Sequence, residues 1–136
     1  MRELFDSFAG FDDFLAYLAV SLALLAAFLA VYVRVTPHRE IALIRQGNLA
    51  AAFSLSGAVL GFVVPLASAV KHSVSLVDMA LWGAVALVVQ VAAFVAVKLM
   101  VPRITDDIAA GQQAQGFFLG AISLGVGLLN GACMTY

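Results

Sequence analysis

Four long apolar runs, separated by short polar stretches, organise this chain. Phe14 to Val33 is twenty residues with nothing more polar than Tyr17, Ser21 and Tyr32. Leu49 to Val70 is twenty-two residues, Met79 to Val97 is nineteen and is interrupted only by Gln90, and Gly116 to Cys133 is eighteen. A helix rises about 1.5 Å per residue, so about 20 residues cross a hydrocarbon core of about 30 Å. The runs are continuous rather than alternating, which predicts helices and not a barrel. The expected fold is an all-α membrane protein with four transmembrane helices in a single membrane domain over residues 1–136.

Composition agrees with that pattern. The chain is 64% hydrophobic and 11% charged, against about 25% charged in ordinary soluble domains. All fifteen charged residues lie outside the four runs, as expected where charge at bilayer depth costs several kcal/mol. With no carboxylate inside a run, a proton-coupled pump is disfavoured. The net charge of -1 leaves no basic face for nucleic acid. Cys133 is the single cysteine, so neither an internal disulfide nor a cysteine metal cage is available.

The first run differs from a secretory signal. Glu3, Asp6, Asp12 and Asp13 precede it against one Arg2, and it ends in Val33-Arg34-Val35-Thr36-Pro37 without a small-residue cleavage site. It is expected to stay as a span. Arg34, Arg39, Arg45, Lys98 and Arg103 fall in the connections between spans one and two and between three and four, while Arg2 and Lys71 fall on the other side. Five against two places those connections in the cytoplasm and both termini outward. The same connections are expected to hold short helical pieces. One starts at Thr105-Asp106-Asp107, an N-cap followed by acids. The other follows Pro37, with Ile41 and Ile44 on one face, Arg39 and Glu40 elsewhere, and Gly47 as the flexible point.

Spans two and four also resemble each other. A shift of 64 residues superposes Ile44 on Ile108, Gly47 on Gly111, Ala50 on Ala114, Phe53 on Phe117, Leu55 on Leu119, Leu60 on Leu124 and Gly61 on Gly125, with Asn48 on Gln112. Pro37 and Pro102 correspond after a one-residue gap. The chain is therefore expected to be two parallel two-helix repeats, about 11–72 and 75–136, related by an axis along the membrane normal.

Three segments carry a family likeness: Gly47-Asn48-Leu49-Ala50-Ala51-Ala52, Gly61 through Ser68, and Asn130-Gly131-Ala132-Cys133-Met134-Thr135. On these the chain resembles the YjfL-like bacterial inner-membrane proteins, a domain of unknown function (family 350) built as a tandem two-helix unit. Gly131 stands where many members of that family have alanine, which keeps the position small. The resemblance implies the fold and an inner-membrane location, and a context of membrane stress, but no established activity.

Polar and small residues within the runs are the candidate functional positions. Gln90 near the middle of span three either faces a pore or makes an interhelical hydrogen bond. Asn130 either binds the carbonyl freed by Pro65, which is expected to kink span two, or lines an outer vestibule. Ala50, Ser54, Gly57 and Gly61 form a small-residue stripe on span two. Gly116, Gly120, Ser123, Gly127 and Gly131 form one on span four. Such stripes let helices approach closely or line narrow conduits. Of these two stripes, one is expected to pack within the subunit and the other between subunits, which predicts a homo-oligomer.

His38 and His72 lie in opposite connections, Asp106-Asp107 reads as a helix start, and Asp12, Asp13 and Asp78 read as solvated flanks. No metal, cofactor or catalytic residue is therefore expected, and no enzyme. The favoured expectation is an oligomeric channel or transporter-like component for a small ion or solute; the alternative is a structural or regulatory membrane partner in envelope stress. A wet path lined by Gln90, Asn130 and the serines favours the first. A dry, packed interior with apolar flanks favours the second.

Overall fold

A computed structural model describes residues 1–36 and 40–134. Pro37, His38, Arg39 and Thr135, which figure in the sequence reading, lie outside the described residues. Seven helices follow one another among the described residues: α1 (Arg2–Ala9), α2 (Phe11–Val35), α3 (Glu40–Arg45), α4 (Leu49–His72), α5 (Leu76–Met100), α6 (Ile104–Ala109) and α7 (Gln113–Cys133). Helices α2, α4, α5 and α7 are long and apolar enough to cross a membrane. They contain the four predicted runs, each lengthened at its ends because polar and charged flanks continue the helix into the interfacial zone.

The bundle is centred on α4 and α7, which run parallel and form its most extensive contact. Their small faces meet directly. A methyl group on Gly57 would collide with the backbone of Gly120, one on Gly61 with the Ser123 carbonyl, one on Gly116 with Ala50, and one on Gly127 with Gly61. Both predicted stripes are therefore consumed inside one chain, which corrects the expectation that one would serve between subunits. The reason is register: the partners lie 62 to 66 residues apart in sequence, so the two small faces come level as the helices rise together. Phe53 and Phe117 pack edge to face at 6.0 Å beside the seam.

Helix α5 packs against both α4 and α7, and α2 packs against α4 and α5. Gly83 of α5 admits the Leu24 side chain of α2. Only Phe28 and Tyr32 of α2 are buried, against nine residues of α4. Thus α2 is the outlying helix, anchored through an aromatic cluster: Phe28 stacks on Phe62 at 4.6 Å, and Tyr32 meets Phe94 edge to face at 5.5 Å.

The short helices α3 and α6 cover the same end of the bundle, and both stop at a glycine with positive φ, Gly47 at 84° and Gly111 at 88°. The closing hydrogen bonds match at a separation of 64 residues. Asn48 N–H donates to the Leu43 carbonyl at 2.9 Å, as Gln112 N–H does to Asp107 at 2.9 Å; Gly47 donates to Ile44 at 2.9 Å, as Gly111 does to Ile108 at 3.0 Å. These left-handed closures suit glycine because a Cβ would be strained there. Helix α6 begins at Ile104 with Arg103 as its N-cap and no side-chain cap bond, so Thr105 is not the predicted cap. Thr105 is buried instead, beside Ile104 and Ile108 on the inward face.

A buried polar cluster at the connector end

The structure distributes the candidate residues over three places. The first is the middle of the bundle. Gln90 is buried, and its Nε2 donates to the Ser123 carbonyl at 3.0 Å. Gly61 leaves the space the amide occupies, since a Cβ there would collide with Gln90 Nε2. Gln90 thus ties α5 to the α4–α7 seam, while its Oε1 makes no hydrogen bond among the described residues. The Ser123 side chain is buried at the same level.

The second place is the end opposite α3 and α6. Helix α4 runs unbroken through Pro65, although proline has no N–H for the Gly61 carbonyl. Gly127 lies against that carbonyl, which a Cβ there would meet. Asn130 does not bind it: Asn130 Nδ2 is buried without a hydrogen bond among the described residues. Gly131 packs against Val64 and Pro65, and its carbonyl accepts from Ser68 Oγ at 3.0 Å. Nearby, Ser75 Oγ caps α5 by accepting from Asp78 N–H at 3.1 Å, and Asp78 accepts from Val74 N–H at 3.2 Å. Asp78 is therefore part of a cap and not merely a solvated flank.

The third place was not apparent from sequence. Glu40, on α3, is 1% exposed. Its Oε1 lies 3.4 Å from Ser54 Oγ, which also donates to the Ala51 carbonyl at 3.0 Å. Ser54 is five residues into α4, about 8 Å from its start. The carboxylate lies within electrostatic reach of Tyr32, whose buried hydroxyl makes no hydrogen bond among the described residues. Thr36 is also buried and donates to the Tyr32 carbonyl at 2.9 Å. A shallow groove lined by Val33, Glu40, Ile41 and Ala42 opens beside the cluster.

Glu40 lies outside the four apolar runs, as read from the sequence, and is buried all the same. A residue between two apolar runs is not thereby at the surface, because α3 folds back against α4. Ile41 and Ile44 do share a face, but it is the outward one, at 53% and 36% exposure. The available signal was the 64-residue shift itself, which puts Glu40 on Ile104. A carboxylate aligned with an apolar residue that the other half buries is a candidate for inward placement.

Asn48 joins two helices at this end. Its Oδ1 caps α4 by accepting from Ala51 N–H at 3.0 Å, and its Nδ2 donates to the carbonyls of Ile108 at 3.0 Å and Ala109 at 3.3 Å. One side chain thus starts α4 and satisfies the end of α6. This placement accounts physically for an asparagine after Gly47.

The profile described as Domain of Unknown Function (DUF350) matches residues 5–134. The chain belongs to that family. It is 41% identical over 134 residues to the UPF0719 inner membrane protein YjfL of Escherichia coli (strain K12), covering 98% of this chain and 99% of the relative. It is 29% identical over 119 residues to the UPF0719 transmembrane protein YshE of Bacillus subtilis (strain 168), covering 86% of this chain and 89% of the relative. No solved structure matches. Together with the four apolar helices, these likenesses make this DUF350 member a multi-pass inner-membrane protein.

Proposed function

We propose that this DUF350 protein is a non-enzymatic structural or regulatory partner within the membrane, acting through lateral contacts of its outer helix faces. One observation carries the reading: the glycine faces of α4 and α7 are in backbone contact along the bundle, and Gln90 is tied into that seam. A packed interior of this kind supports contact rather than conduction. The flanks are broad and apolar, with Leu22 on α2 and Leu81 and Val88 on α5 well exposed. In this reading the two halves are parallel repeats, both termini face outward, and α3 and α6 lie at the cytoplasmic surface, in line with the five-to-two excess of basic residues.

The buried cluster of Glu40, Ser54, Tyr32 and Thr36 favours a second reading, in which several copies assemble and a small ion or solute passes between subunits near that end. Reconstitution decides between them. Proteoliposomes are expected to show no flux of potassium, sodium or protons above lipid alone. Photo-crosslinkers at positions 22, 81 and 88 are expected to give discrete adducts in cells. Selective flux that Glu40→Gln abolishes would establish the conduit and displace the partner reading. Cys133, exposed at the end of α7, reports orientation: an impermeant maleimide should label it in intact cells.

A further inference from the structure

Helix α1 has no counterpart among the predicted elements, and among the described helices it alone buries no residue. Its side chains are nevertheless sorted. At 3.6 residues per turn, Leu4, Phe5, Phe8 and Ala9 fall on one arc, and Arg2, Glu3, Asp6 and Ser7 on the other. Leu4, Phe5 and Phe8 are all more than half exposed. Such a face requires an apolar environment that the bundle does not provide.

The joint to α2 indicates where that environment is. Gly10, with φ -85° and ψ -2°, is the one residue between α1 and α2, and its ψ departs from the helical value near -42°. Asp12 and Asp13 follow at once, in the first turn of α2. Charge at bilayer depth is unfavourable, so these carboxylates mark the water boundary. A collinear α1 would carry Phe8, Phe5 and Leu4 from about 6 to about 12 Å beyond it, into water. Phe11 and Phe14 stack across the boundary at 6.1 Å, and Phe14, Leu15 and Leu18 continue an exposed apolar surface down α2.

We propose that α1 is an interfacial anchor that turns at Gly10 and lies on the bilayer surface, with Leu4, Phe5 and Phe8 in the boundary between headgroups and acyl chains. Its occupant is lipid, because the apolar face continues the lipid-contacting surface of α2. The lipid it fits is zwitterionic. Glu3 and Asp6 outnumber Arg2 on the polar arc, so insertion draws on apolar burial and not on attraction to anionic headgroups.

The test uses the full chain with Cys133→Ser, single cysteines at positions 3 to 8 carrying nitroxide labels, and nanodiscs of phosphatidylcholine. Labels at 4, 5 and 8 are expected to favour oxygen over a water-soluble nickel reagent several-fold, and labels at 3, 6 and 7 to show the reverse. Uniform access to the nickel reagent would mean that α1 projects into water, and would overturn the proposal. Exclusion of both reagents from 4, 5 and 8 would mean a protein partner, and would overturn it equally. Adding phosphatidylglycerol at low salt is expected to leave the oxygen preference unchanged or reduced; a several-fold increase would refute the lipid chemistry assigned here.

Discussion

The two halves of the bundle end in the same backbone and enclose different chemistry. Helices α3 and α6 both stop at a glycine with positive φ, and each passes the chain to the next span through hydrogen bonds that match at a 64-residue separation. Inside, Glu40 lies beside Ser54 in the first half, whereas Ile104 occupies the corresponding buried place in the second. The counterpart of Ser54 is Phe118, which is 40% exposed. The capping asparagine, Asn48, answers to Gln112, which makes no cap bond. Backbone closure is thus common to both halves, and buried polarity belongs to one. Closure depends on dihedral angles that glycine satisfies alone. A buried carboxylate depends on neighbours that only the first half supplies.

Exchanging the paired residues tests this difference, and the largest effect is expected at the connector helices. Ile104→Glu places a carboxylate where Ile104 and Ile108 are fully buried, and should cost more than about 3 kcal/mol. The reciprocal Glu40→Ile removes a hydrogen-bonded buried side chain but adds no unmet polar group, and Ser54 keeps its bond to the Ala51 carbonyl, so it should cost less than Ile104→Glu, about 1–3 kcal/mol. Apparent melting in one mild detergent compares the two. Equal destabilisation by both variants would show that the Glu40 cluster holds the fold and is not a separate feature.

A smaller but sharp contrast is expected along the seam. Gly61 and Gly125 correspond across the halves, yet a methyl group collides at Gly61 and meets nothing within 4 Å at Gly125. Gly61→Ala should cost about 1–3 kcal/mol through overpacking, and Gly125→Ala should be neutral or slightly stabilising. The same melting measurement ranks them. A neutral Gly61→Ala would mean that α4 and α7 are farther apart than described.

Capping comes next in size. Asn48→Ala removes one cap and the side-chain donor shared by the Ile108 and Ala109 carbonyls, of which Ile108 keeps the Gly111 N–H, so about 1–2 kcal/mol should be lost. Gln112→Ala should change little. Hydrogen exchange at the amides of residues 49–51 checks the first directly, with faster exchange expected in Asn48→Ala alone.

The smallest effect is one of sameness. Gly47→Ala and Gly111→Ala should each cost about 1 kcal/mol, and by the same amount, since neither Cβ meets a neighbour and both φ values lie in the left-handed region. Unequal losses would break the backbone equivalence of the halves.

Much of this architecture was legible from residue order alone. The four spans follow from run length, because an apolar stretch near 20 residues has one favourable solvent and one secondary structure that satisfies its backbone there. The short connector helices, the flexible point at Gly47 and its match to Gly111 follow from local pattern, as does the close packing implied by glycine stripes. Helix α1 was hidden for the opposite reason: eight residues of mixed polarity make an amphipathic helix that no apolar run announces.

Tertiary structure alone decided the pairing and the direction of faces. The small stripes of α4 and α7 carried no label as internal or intersubunit; their meeting depends on the parallel register of two helices some sixty residues apart. Gln90 could face a pore or a neighbour, and the space left by Gly61 beside the Ser123 carbonyl directs it inward. Glu40 stands between two spans in sequence and is buried in space, because α3 turns its isoleucines outward and its carboxylate toward Ser54. Solvent preference acts on each residue through its own side chain and is readable in sequence. Burial of a polar group depends on which distant backbone comes within hydrogen-bond reach, and that is a property of the assembled bundle.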